Sequence, residues 1–324
     1  MIRTAPAPGF VLILLLLCAA PVSAQDTHLV VITGVGGDEE HAKTFHKWAT
    51  MMIDAARKKD GLPDANIIYL SEKPDLDPSL IKARSTRENV QKTLTDLAAR
   101  ARPGDAVLIV LIGHGSFNGQ QAAFNLPGPD LTPAEYGRLL AGFAAERVAF
   151  VNTAASSGAF IPAVAGPGRA IVTATKTGGE RNETRFPEYF VQAFTDESAD
   201  RDRNGRVSIA EAFEYAKARV VRTFEQEGLL LSEHATLEDG VNGSLASALF
   251  LAPAQAAAKV DTSDPEVRAL VEERDAIERQ IAALRLMKPS MDAAQYDAQM
   301  EKLLTQLALK TKAIRERQAR KDRQ

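Results

Sequence analysis

Six consecutive branched aliphatic residues, Val107-Leu108-Ile109-Val110-Leu111-Ile112, constrain the fold more than any other feature of the chain. A strand with one wet face alternates apolar and polar side chains, so an unbroken apolar run of strand length is buried on both faces and needs cover above and below. Shorter runs of the same kind occur at Leu29–Ile32, Asn66–Leu70, Val148–Val151 and Ala170–Ala174. Between them lie helical patterns. Phe45, Trp48, Met52 and Ala55 recur at helical spacing, and Val90, Leu94 and Leu97 follow a capping box expected at Ser85 and Glu88. Thr132-Pro133-Ala134-Glu135 is a helix start with Pro at its first position, Pro187 opens a helix through Phe194, and Ser208 opens another. Leu245–Leu251 reads as an edge strand. Strands alternating with helices imply an α/β fold with a largely parallel sheet covered on both faces.

The two ends of the chain read differently from this middle. Residues 1–24 have the form of an export signal: Arg3, an apolar run from Phe10 to Ala20, and small residues at Val22-Ser23-Ala24 before Gln25. Read instead as a retained anchor, that run is about half of the ~20 residues a membrane-spanning helix needs. The single cysteine, Cys18, lies inside it, preceded by the large Leu17 where a lipoprotein site wants a small residue, so residues 25–324 contain no cysteine. An exported chain is free to form disulfides; this one must hold together by its core alone. The expected location is the periplasm or the extracellular space, with no transmembrane segment once the signal is removed. At the other end, composition changes at Pro253. Residues 253–263 are Ala-rich and read as a linker. Residues 264–324 carry two apolar stripes, Val267, Leu270, Ile277, Ile281, Leu284 and then Tyr296, Met300, Leu303, Leu307, Ile314, separated by Lys288-Pro289-Ser290. This is the pattern of an antiparallel, coiled-coil-like helical hairpin, a candidate surface for self-association.

In a parallel sheet the ligand site lies beyond the carboxyl ends of the strands. After Ile32 comes Gly34-Val35-Gly36-Gly37, which fails as a dinucleotide fingerprint. Glu39 stands where the third glycine belongs, and Asp38, Glu39 and Glu40 would repel phosphate, so no nucleotide is expected. After Ile112 comes Gly113-His114-Gly115-Ser116, and after Val151 comes Asn152-Thr153-Ala154-Ala155-Ser156-Ser157-Gly158. Taken singly, each is a tight turn.

Taken together, an apolar block ending in His-Gly and a later apolar block ending in a small-residue turn resemble the legumain and caspase superfamily of cysteine peptidases. The resemblance covers residues 25–252 and implies a three-layer αβα sandwich. His114 matches the catalytic His. Aligning Ser157-Gly158 on the Ser-Gly of the legumain nucleophile loop puts Ala155 where the Cys belongs. A methyl group cannot attack a carbonyl, so the resemblance implies a pseudopeptidase, inactive as a cysteine peptidase. The family's oxyanion hole uses backbone amides, here those of Gly115 and Ala155, which need no particular side chain. A peptide or protein ligand could still be held and not cut. Two alternatives remain open: an active endopeptidase using Ser156 or Ser157 with His114, and a structural scaffold with a dead cleft. The segment Gly178–Arg185 matches a region that shapes the substrate pocket in related peptidases, and here it holds charges of both signs.

Residues 200–211 fit an EF-hand loop at each diagnostic place. Asp200, Asp202 and Asn204 offer side-chain oxygens, Gly205 allows the sharp turn, Arg206 offers its carbonyl, Ser208 acts through water, and Glu211 is the bidentate position. Ser208 and Glu211 also form a capping box, and Asp-x-Asp-x-Asn-Gly makes a stable turn without metal. With no partner loop, calcium affinity would fall in the ~0.1–1 mM range and serve structure, not sensing. No zinc site is expected, because His41 and His46 splay round a helix and no thiolate is available. A formal net charge of −3 carries no signal for nucleic-acid binding.

Overall fold

The computed structural model describes residues 26–143, 147–240, 243–251, 264–287 and 291–321. The expected export signal with Cys18 and the expected linker at 253–263 lie outside the described residues. Nine strands are described: β1 (Thr27–Thr33), β2 (Ile67–Ser71), β3 (Ala83–Arg84), β4 (Ala106–Ile112), β5 (Gly115–Phe117), β6 (Ala122–Phe124), β7 (Val148–Asn152), β8 (Arg169–Thr173) and β9 (Thr236–Glu238). The helices are α1 (Glu39–Asp54), α2 (Arg87–Arg100), α3 (Pro133–Leu140), α4 (Ile161–Val164), α5 (Phe186–Ala193), α6 (Ile209–Gln226), α7 (Leu245–Ala248), α8 (Pro265–Met287) and α9 (Ala293–Lys321).

The chain is α/β, with a mostly parallel sheet of seven strands in the order β3-β2-β1-β4-β7-β8-β9. Only β9 runs antiparallel, on β8. The six-aliphatic run forms most of β4, the central strand, which pairs with β1 on one side and β7 on the other. Its alternation divides the core. Leu108, Val110 and Ile112 pack with α1, α5 and α6 residues such as Met52, Phe190 and Phe213. Val107, Ile109 and Leu111 pack with α2 and α3 residues such as Leu94, Tyr136 and Leu140. Each face of the sheet therefore has its own apolar layer. This is why the strand tolerates no polar residue and why the chain needs no disulfide.

Three local expectations are corrected. The cap of α2 is Thr86, not Ser85: the Thr86 hydroxyl accepts from the Asn89 amide. Ser85 is buried and donates to the Thr33 carbonyl at 2.7 Å, so it closes the end of β1 instead. Residues 245–251 do not form the edge strand. Leu245–Ala248 is a short helix, tied down by Asp239, whose carboxylate accepts from the Ala246 amide, with Leu249 and Leu251 turned into the core. The edge on β8 is taken by β9. The hairpin of β5 and β6, closed at Asn118, has no counterpart in the sequence reading. The caps at Thr132 and Ser208 are capping boxes.

Helices α8 and α9 lie against each other. Val267 packs with Ile314, Ile277 and Ile281 pack with Met300, Leu303 and Leu307, and Glu266 and Glu273 pair with Arg317 and Lys310. Among the described residues, no helix is long and apolar enough to cross a membrane.

Candidate functional site

The carboxyl ends of β1, β4, β7 and β8 bring four loops together. At the end of β4, His114 is half-buried, with its ring 5.1 Å from Phe45 and 5.0 Å from His41, both on α1. The Asn125 amide, just past β6, donates to the His114 carbonyl at 3.0 Å and so sets the turn. Gly115 then meets the loop after β7 backbone to backbone. A Cβ at Gly115 would lie 2.1 Å from the Ala155 carbonyl oxygen, an approach that only glycine allows.

The loop after β7 is almost wholly buried. Thr153 donates to the Leu111 carbonyl through both its amide and its hydroxyl, and Asn152 accepts from the Ala154 amide. Ala155 follows, with 7% of its surface exposed. Ser156 adopts a left-handed conformation (φ 58°), which is costly for a residue with a Cβ. Its amide donates to the Glu180 carbonyl at 2.8 Å, and its buried hydroxyl has no hydrogen-bond partner among the described residues. The Ser157 hydroxyl shares a hydrogen bond with that of Thr175 and accepts from the Thr175 amide. Neither serine hydroxyl hydrogen-bonds His114.

Three further side chains, Asp38, His41 and Glu183, gather beside His114. Asp38 caps α1 by accepting from the His41 amide at 2.8 Å, and its other oxygen meets His41 Nδ1 at 2.7 Å. His41 Nε2 lies 3.1 Å from Glu183 in the loop after β8. The Asp38 hydrogen bond, followed by Glu183, raises the His41 pKa above its usual value. The cap at Asp38 has a local sequence signal; Glu183 is marked in the sequence only as part of the charged segment Gly178–Arg185.

The loop after β8 is strapped to the segment that follows α6. Arg185 makes a two-pronged ion pair with Glu227, Asn182 donates to Ser232, and the His234 amide donates to Glu180. Glu233 is the innermost tie. Its two carboxylate oxygens accept from the Arg185 and Phe186 amides, each at 2.9 Å, at the start of α5. Burial pushes its pKa up to about 7 against the pull of those two donors.

The loop at 200–211 leads into α6, where the Ile209 amide donates to the Leu249 carbonyl. Asp200 accepts from the Asn204 and Gly205 amides, Asp202 also accepts from the Asn204 amide, and Asn204 accepts from the Arg206 amide. Glu211 accepts from the Arg201 and Asp202 amides with one oxygen, and from the Ser208 amide and hydroxyl with the other. Carboxylate oxygens of Asp200, Asp202 and Glu211 lie within 4.8 Å of one another. Burial raises the Asp200 pKa, with the charge of Glu211 adding to it. The Asn204 and Ser208 oxygens face the loop's own groups, and the Arg206 guanidinium lies over the Phe250 ring at 3.8 Å.

No protein-family model and no curated protein matches the chain. Among solved structures, the chain is similar to the crystal structure of protein GSU0716 from Geobacter sulfurreducens, with a TM-score of 0.42 and 12% identity. The alignment covers 65% of this chain and 92% of that one.

Proposed function

We propose that this chain is an exported, non-catalytic relative of the caspase and legumain-like peptidases, and that it binds a peptide or protein at the cleft beyond β1, β4, β7 and β8. The observation that carries the reading is the contact of Gly115 with Ala155 beside His114. It joins the two loops that would hold an imidazole and a thiolate, with a methyl group at the thiolate position. Without a nucleophile, acyl transfer loses orders of magnitude in rate. The serine route is the weaker reading, since the Ser157 hydroxyl is engaged by Thr175 and the Ser156 hydroxyl is enclosed. Helices α8 and α9 act in this reading as a hairpin for association.

The calcium reading rests on the closeness of the three carboxylates of Asp200, Asp202 and Glu211. A cation there would draw on those groups, with Asn204, Ser208 and the Arg206 carbonyl as further donors, and would brace the start of α6.

Residues 25–324 contain no cysteine, so Ala155→Cys introduces a single thiol. A peptidyl electrophile should label it at least about tenfold faster than a small non-peptidic thiol reagent of matched reactivity, and His114→Ala should remove that advantage. Equal rates would refute the cleft. Peptide cleavage by the unmodified protein that His114→Ala abolishes would refute the non-catalytic reading.

A further inference from the structure

The face made by α6 and the segment after it is separate from the contact of Gly115 with Ala155 beside His114. Helix α6 ends at Gly228 in the left-handed conformation, and the chain turns back with the Leu229 amide donating to Phe224. Leu229 and Leu230 are thereby presented to solvent, 52% and 93% exposed. Only two other large apolar side chains are exposed among the described residues, Leu76 and Leu309, and those two stand apart. Adjacent exposed leucines on one turn are a feature that burial in the monomer does not explain.

They project from a held segment. Glu227, Ser232 and Glu233 are each fastened to the loop at 182–186, so little ordering is left to lose on association. Directly beside them runs a groove of about 550 Å³, with Phe213, Val220, Val221, Leu231 and Leu237 among its apolar lining and Glu233 and His234 among its polar lining. The same surface therefore carries an apolar projection and a recess whose lining is partly apolar. Its charges repeat the theme. Glu214 and Lys217 both line the groove, both are exposed, and neither forms an ion pair among the described residues. A two-fold axis through this face would set each Glu214 against the other copy's Lys217. It would also set each leucine pair against the other copy's groove, which is the self-complementarity a symmetric dimer requires.

We infer that this face is a dimer interface between two copies of the chain, with Leu229 and Leu230 of each seated in the groove of the other. The contact does not depend on what the cleft holds.

Sedimentation velocity on the mature chain, residues 25–324, tests this. The wild type should form a dimer. Leu230→Asp should weaken it by at least about a hundredfold, because two leucines are exposed again per dimer. Leu230 is almost fully exposed in the monomer, so an unchanged melting curve of the dilute variant checks that the fold is intact. Glu214→Lys and Lys217→Glu should each weaken the dimer about tenfold, and the two together should restore it to within about threefold. A wild type that stays monomeric to ~0.5 mM overturns the inference. So does a dimer indifferent to Leu230→Asp, which would place association on α8 and α9, and so does a double charge reversal weaker than either single one.

Discussion

Glu233 is the most informative residue to perturb, because it ties the loop after β8 to the segment after α6 from a buried position. Its pKa rises from 4.5 to about 7 through burial. The native state therefore keeps a proton that the unfolded chain releases between those values. The sign follows from linkage: the stability this group contributes is complete below pH 4.5 and is lost as pH rises through about 7. The gap of 4.5 to about 7, at about 1.4 kcal/mol per pH unit, amounts to about 3 kcal/mol. Glu233→Gln keeps an acceptor for one of the two amides and removes the titration. Other groups titrate in this range, notably Asp60, raised to about 6 by burial, so the quantity to follow is the difference between wild type and variant. Urea unfolding at pH 4.5 and at pH 7.5 should show wild type losing about 3 kcal/mol more than Glu233→Gln. In thermal melts that corresponds to about 6–12 °C. A difference between the two proteins that stays constant across the range would refute the reasoning, since Glu233 would then titrate alike folded and unfolded.

Gly115→Ala drives a methyl group to within 2.1 Å of the Ala155 carbonyl; it should destabilise the fold by about 1–3 kcal/mol in urea titrations, and an unchanged midpoint would mean the two loops are not in contact. Leu108→Ala, in the centre of β4, should cost about 2–5 kcal/mol by the same measurement. Adding ~5 mM calcium should stabilise the wild type by about 1–2 kcal/mol in thermal melts, and Asp200→Ala with Glu211→Ala should abolish that response; an unchanged wild-type melt removes the calcium reading. Ser208→Ala should lower stability by about 1 kcal/mol in calcium-free melts, because the capping box forms without any metal.

The parts of the fold that were legible before the structure have local or one-dimensional causes. The run in β4 announces burial on both faces whatever packs there, and each capping box at Thr132 and Ser208 is closed within three residues of its start. Where legibility failed, a distant partner chose between two locally equal options. Ser85 and Thr86 can both cap a helix; the carbonyl of Thr33 claimed the Ser85 hydroxyl and left the role to Thr86. The apolar stretch at 245–251 suits a strand, but the edge it would have joined was already occupied by β9. At the candidate site, His114 and Ala155 were visible as a pair through the resemblance and Glu183 only as one charge in the segment Gly178–Arg185, while Glu233 was not visible. Acidic residues in loops carry no periodicity, and their meaning comes from what they touch.

What the sequence alone determined is the layered α/β plan and the absence of a thiol from residues 25–324. Both follow from which atoms are present and how they alternate along the chain. Only the tertiary structure decided that Gly115 would press on Ala155, that His41 would bridge Asp38 and Glu183, and that Glu233 would be sealed beneath the Arg185 and Phe186 amides. Those contacts join loops far apart in sequence, and their geometry is fixed by the positions of the strands that carry them.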